Sequence, residues 1–373
     1  MKRIAWTVET LRIKRNELVK RKLEIKKLNL DDDLLKELLN IEVALEDLDE
    51  IIFELENENS FEIIKPKEAL KDINKTFNRN RHFINQIAIF DSIVDKQYKL
   101  LEHCHETKPL QISRNDYLSL VFDFFRSTDK VIFEAFLKNF KDEHKFLNFE
   151  NYNTNSENTN YGLTYSVRGI NLSFLKIFDH KDLETILTIP HEYVHALVFS
   201  LNQKRLYTEK SLNFSELEPY FFEFLAEDYF EKTLNNKSFI DTRLNRYSIS
   251  YNMSEDILDM HPLCQTYHEV DIKKHIKIRE LAAKLGTEKQ ILNELIYIDY
   301  ENNFNCVLSL LIAIELYNLY LEDPELAFYK LKKIIYLTEK NNIQKELKNL
   351  GLIMNTSSGE ILKKTLDRKG LKI

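Results

Sequence analysis

Apolar residues recur at steps of three and four along most of this chain, the spacing that lines one face of a helix. The most regular run is Leu34, Leu38, Ile41, Leu45, Leu48, Ile52 and Leu55, which alternates fours and threes as a heptad seam. Asp31, Asp32 and Asp33 precede it, where a helix N-terminus and its dipole favour negative charge. With the charged stretch before it, the chain up to about residue 60 reads as two long helices. A seam of about three heptads is marginal alone. An antiparallel hairpin inside one domain is therefore expected, and a coiled coil joining a homodimer is the alternative.

Helical spacing continues from Pro66 to Pro109, with Ile84, Ile87, Ile89, Ile93 and Leu100 as core candidates. Ser113 and Asp116 form an S-x-x-D start signal. The Phe-rich helices that follow it read as core. The polar run from Asn148 to Gly162 has no period and reads as a loop. Thr164 to Phe178 alternates β-branched and aromatic residues around a turn at Gly169, the pattern of a small sheet. Its segment Ile170 to Phe174 is the candidate edge for holding an extended peptide. A helix follows from Asp179 or His180, with Pro190 inside it as a kink, and Pro219 opens another. The C-terminal stretch reads as amphipathic helices closing the core. The expected fold is mainly α with a small sheet beside a central helix, divided into an N-terminal helical region, 1–110, and a second region, 111–373.

Composition agrees. Only 6 Gly and 6 Pro in 373 residues leave little for loops and hairpins, so helix dominates. A net charge of −7 without a basic block argues against a nucleic-acid surface. Cys104, Cys264 and Cys306 have no paired spacing, so no disulfide framework is expected. The N-terminal stretch has no apolar core of signal length, and no apolar run reaches the roughly 18 residues of a membrane helix. A cytoplasmic protein without membrane contact is the expectation.

The chemistry lies in TIPHEYVHALVFSLN, Thr188 to Asn202. His191 and His195 are four apart, one above the other on a helix, so both imidazoles can reach one metal ion. Glu192 lies beside that face, placed to accept the proton of a water activated there. H-E-x-x-H is the two-histidine zinc pattern of metalloproteases. A catalytic zinc keeps three protein ligands and one open position. The third is sought in SELEPYFFEFLAEDYFEK, Ser215 to Lys232. A carboxylate among aromatics is costly unless it is paired or metal-bound. Glu223 is the first candidate; Glu227, Glu216 and Glu218 follow.

HEYVHAL followed by PYFFEFLAE resembles the oligoendopeptidase F and thimet oligopeptidase family of zinc peptidases. INLSFLKIFDHKDLETILTIPHE resembles that family's strand, turn and helix leading into the motif. LIYIDYENNFNCVLSLLIAIELYNLYLEDPELAFYKLKKII resembles its tyrosine-bearing helix and D-P-E turn. The resemblance implies a helical fold with a deep cleft, one zinc per chain held by His191, His195 and Glu223, and Glu192 as general base. Tyr297 and Tyr300 match two of the family's tyrosines by spacing, and a phenol beside zinc can donate to an oxyanion. Short or unfolded peptides are the implied substrates. The chain departs from the family at Val194, where Gly is usual, at Leu225 and Ala226, where Pro-Ser is usual, and at Asn293 and Glu288, which stand near the places of an upstream tyrosine and histidine. A helical scaffold with structural zinc or none is a competing reading, as is a peptidase of another glutamate-liganded family with a dedicated substrate. His103, Cys104 and His105, two apart or less, do not converge on a helix face. His261, Cys264, Tyr267 and His268 fit no common zinc spacing, although Tyr267 or His268 could line a substrate cleft.

Overall fold

The computed structural model describes residues 7–28, 31–56, 75–78, 80, 83–95, 113–141, 145–151, 161–202, 214–266, 300–337, 343–352, 363–364 and 367. The first two helices, α1 (Val8–Ile25) and α2 (Asp32–Glu56), form an antiparallel pair. Leu11, Leu18 and Ile25 of one meet Ile41, Leu48 and Ile52 of the other. Arg15 pairs with Asp49 and Arg21 with Glu37, so early positions of α1 face late positions of α2. The heptad seam is thus half of an intramolecular hairpin.

α3 (Ile84–Asp95), α4 (Arg114–Arg126) and α5 (Lys130–Lys141) follow. Ser113 caps α4 by accepting from the Asp116 amide at 3.3 Å, as the S-x-x-D signal predicts. The phenylalanines of α4 and α5 are core. Phe125 and Phe136 stack at 4.1 Å between centroids, and Phe136 meets Tyr193 edge-on at 5.4 Å.

Three strands form one sheet in the order β1-β3-β2: β1 (Lys145–Asn151), β2 (Gly162–Val167) and β3 (Leu172–Asp179). β1 pairs parallel with β3, Leu147 opposite Leu175. β2 pairs antiparallel with it, Thr164 opposite Leu175. Two sequence expectations change here. Asn148 to Asn151, expected in a loop, belong instead to β1, and 152–160 lie outside the described residues. The segment Ile170 to Phe174 is not an edge: Ile170 lies in the turn, and Leu172 to Phe174 belong to the central strand, paired on both sides. Among the described residues, the edge that lies against the central helix is β2.

That helix is α6 (Leu183–Leu201), one turn later than expected. Asp182 caps it, accepting from the Thr185 amide at 2.9 Å, and it continues through Pro190. Leu175 and Ile177 turn toward the core that α6 shares with α4 and α5. Val167, Leu172 and Phe174 turn the other way, onto α1 and α2. The sheet is therefore a layer between the N-terminal hairpin and the central helix. α7 (Leu217–Leu234) and α8 (Phe239–Thr266) pack beside α6. α9 (Tyr300–Glu322), α10 (Pro324–Ile335) and α11 (Ile343–Asn349) close the core. By length and mean hydropathy α9 could cross a membrane, which the sequence reading did not anticipate; it is instead a core helix, with 78% of its most apolar window buried.

Candidate metal centre

α6 presents Glu184, Thr188, His191 and His195 along one face, spaced by three and four. α7 opposes it with Glu216, Tyr220 and Glu223. The two helices pack together, and that contact builds the site.

His191 Nε2 and His195 Nε2 stand 3.1 Å apart. Glu216 Oε2 lies 3.2 Å from the first and 3.4 Å from the second. Tetrahedral zinc ligands at about 2.0–2.1 Å stand roughly 3.3 Å from one another. The three measured separations match one face of such a tetrahedron, so the residues present fit a zinc ion. Both histidines and Glu216 are partly exposed.

The sequence's first candidate, Glu223, takes a different position. Its Oε1 lies 2.6 Å from Nδ1 of His191, the ring nitrogen turned away from the triad. Glu216, a later candidate, stands where the third ligand was sought. Periodicity could not separate them, because residues seven apart share a helix face. What separates them is where α7 begins. Glu216 is its N-cap in an αR conformation, and its side chain makes no capping bond. It is directed at the histidines instead. Glu227 is buried against Arg243, and Glu218 is buried in the first turn.

The charges reinforce one another. Burial alone would lower the pKa of His191, yet Glu223 and Glu216 raise it to about 10. Burial likewise opposes charge on His195, and Glu216 turns its shift upward. Burial would raise Glu216, but His195 and His191 hold it well below the usual carboxylate range. Glu223 is lowered against burial by Arg246 and His191. Two anionic carboxylates thus call for positive charge between them, supplied by protons on the imidazoles or by a divalent cation in their place.

Glu192 is buried beside this cluster. Its Oε2 accepts from the Thr164 hydroxyl at 2.5 Å, and its main-chain oxygen accepts from the same hydroxyl at 3.2 Å. Gly162, on the same face of β2, leaves the space that the Glu192 carboxylate fills. The strand edge and the candidate base are therefore in contact. Tyr161 O accepts from Phe178 N, so in the antiparallel pattern Gly162, Thr164 and Ser166 turn their main-chain groups away from β3.

Tyr220 packs its ring on His191 at 6.0 Å between centroids. Tyr300 opens α9, buried, with its ring 5.9 Å from that of Phe77. Tyr297 lies outside the described residues, as do His103, Cys104, His105, Tyr267 and His268. His261 and Cys264 lie in the last turns of α8, where only the main chain is described. Sequence reasoning missed Gly162, Thr164, Tyr220 and Arg246. Only the β-alternation that begins at Thr164 hinted at any of them; Gly162 fell in the stretch read as a loop.

No family model and no curated protein matches the sequence. Solved structures do match. A candidate peptidase from Chlamydophila abortus aligns over 98% of this chain and 62% of its own, at TM-score 0.52 and 12% identity. PZ peptidase A, solved with an inhibitor, aligns over 91% of this chain and 65% of its own, at 0.50 and 11%. A candidate oligoendopeptidase F from Bacillus anthracis str. Ames aligns over 91% and 63%, at 0.49 and 9%. The first two fix the fold: the helical peptidase fold expected from the motifs is the fold observed. The chain spans about two thirds of the length of each.

Proposed function

We propose that this chain is a zinc-dependent peptidase acting on extended peptides. The observation that carries the reading is the convergence of His191 Nε2, His195 Nε2 and Glu216 Oε2 within 3.1–3.4 Å of one another. These three residues would hold one zinc ion. A closed structural site has four protein ligands, whereas among the described residues three converge here.

A zinc ion held by these residues would supply Lewis acidity toward a carbonyl and would lower the pKa of a bound water. The remaining work falls to side chains. Glu223 accepts from Nδ1–H of His191, which fixes the tautomer that offers Nε2. Glu192 accepts the proton of the attacking water and passes it to the leaving amine. Thr164 holds the Glu192 carboxylate on the strand side. The outward main-chain groups of Gly162, Thr164 and Ser166 pair with an extended substrate by strand addition, which lays the peptide beside the base. Tyr297 and Tyr300 are the proposed donors to the oxyanion. Cytoplasmic residence belongs to the same proposal. The heptad seam is already occupied by α1, so it offers no contact for a homodimer.

The test is direct. Protein purified without added zinc is expected to carry about one zinc per chain and to cleave a peptide library. Glu192→Gln is expected to keep the zinc and lose cleavage. Cleavage at the wild-type rate in Glu192→Gln overturns the mechanism.

A further inference from the structure

Two arginines of α8, three residues apart, reach this corner of the fold with different partners. Arg243 is buried. Its Nε donates to Glu227 Oε2 at 2.5 Å and its Nη2 to the Phe224 main-chain oxygen at 3.2 Å. Its guanidinium lies over the rings of Phe224 and Tyr317. None of these partners is a histidine.

Arg246 grips Glu223 with a fork. Nε donates to Oε2 at 3.2 Å and Nη2 to Oε1 at 3.0 Å. That Oε1 is the atom lying 2.6 Å from His191 Nδ1. The same Nη2 reaches Glu184 Oε1 at 3.3 Å, two turns before His191 on α6. The guanidinium is seated 5.3 Å above the Tyr220 ring. One side chain of α8 thus ties the helix that carries both histidines to the helix that carries Glu216.

We propose that Arg246 is a positioning residue of the metal centre, acting through Glu223 on His191. The inference rests on the zinc reading above. A guanidinium fork fixes the plane of the carboxylate it grips, which a lysine cannot do. Glu223 has rotatable bonds on its way to the carboxylate, and the fork removes that freedom. With Oε1 held on Nδ1, the His191 ring is fixed in orientation and in the tautomer that leaves Nε2 open to a metal. The anchor at Glu184 fixes the guanidinium in turn and sets the separation of α6 and α7.

The experiment compares Arg246→Lys and Arg246→Met with Arg243→Lys. Zinc affinity is read by chelator competition and folding by thermal midpoint. The His191 ring nitrogens are read by NMR in zinc-free protein, assigned by their loss in His191→Asn. Arg246→Lys is expected to weaken zinc binding about 10–100-fold with little change in midpoint and to move the His191 nitrogen signals. Arg243→Lys is expected to lower the midpoint, with zinc affinity and His191 signals kept. Wild-type zinc affinity in Arg246→Lys, or loss that merely follows the midpoint in both arginine variants, overturns the proposal. If the wild-type protein takes up no zinc, the zinc reading has failed. The His191 signals then decide on Arg246 alone, and unchanged signals in both Arg246 variants reject it.

Discussion

Gly162 lies directly against the carboxylate of Glu192: a Cβ at position 162 would stand 2.6 Å from Oε1 and 2.7 Å from Cγ. Thr188 Cγ2 would be as close, so the strand has no room for a side chain there. Gly162→Ala therefore displaces the base rather than the ligands. A misplacement of about 1 Å costs on the order of 100-fold in rate. The variant is expected to show that loss in kcat/KM on a cleavable peptide, with zinc content unchanged by metal analysis.

Glu216 and Glu223 separate by their effects on zinc. Glu216→Gln removes a charged ligand atom, and stoichiometric zinc is expected to be lost on dialysis. Glu223→Gln keeps all three ligand atoms and alters a partner of one of them, for which about 10–100-fold weaker binding is expected. Chelator competition on both variants distinguishes them, and equal losses would remove the distinction between ligand and supporting carboxylate.

These two carboxylates also show how far the sequence could be read. The spacing of His191 and His195 dictates their convergence, and it was legible because both lie on one uninterrupted helix. Glu216 and Glu223 share a face of α7, so helical period alone ranks neither. Their roles depend on how α7 crosses α6 and on Glu216 leaving its capping duty undone. The sheet was half legible. Alternation marked Thr164 to Phe178 as strand, but only the pairing of β1 with β3 shows which strand is central. That pairing is a contact between distant segments, with no local trace. Gly162 and Thr164 became visible as part of the site only once the edge was known. The antiparallel hairpin was expected because a short seam needs a nearby partner, and α1 supplies it.

Glu184 gives a pH signature. It is buried, and burial raises its carboxyl pKa from 4.5 to about 7, with Arg246 opposing the shift. A carboxyl raised in the folded state favours folding while protonated. That contribution is complete below about pH 4.5 and is lost as pH rises through about 7. Glu184→Gln is neutral throughout. The variant's stability relative to wild type is expected to improve by up to about 3 kcal/mol across this window, at about 1.4 kcal/mol per pKa unit. Denaturant unfolding at pH 4.5, 6 and 8 in matched metal states checks it; a flat difference rejects the assignment.

The turn between β2 and β3 carries a second glycine with no freedom to change. Gly169 has φ +77°, and a Cβ there would stand 2.1 Å from the Asn40 main-chain oxygen on α2. Positive φ alone costs a non-glycine residue about 1 kcal/mol, and the backbone clash adds to it. Gly169→Ala is expected to lower the denaturant midpoint clearly, with zinc stoichiometry kept.

Beside that glycine, Asp47 of α2 accepts from the Arg168 amide at 2.6 Å and from its guanidinium. The opening hairpin thereby buttresses the far end of the strand whose near end steadies the base. Cutting away everything before residue 57 would leave Val167, Leu172 and Phe174 bare to water and let slack run along β2 to Thr164. Faster amide exchange at Thr164, and a catalytic defect with zinc still in place, would be the mark of that lost support. On the proposed function, the opening segment is then as much a part of the catalytic frame as the motif helix itself.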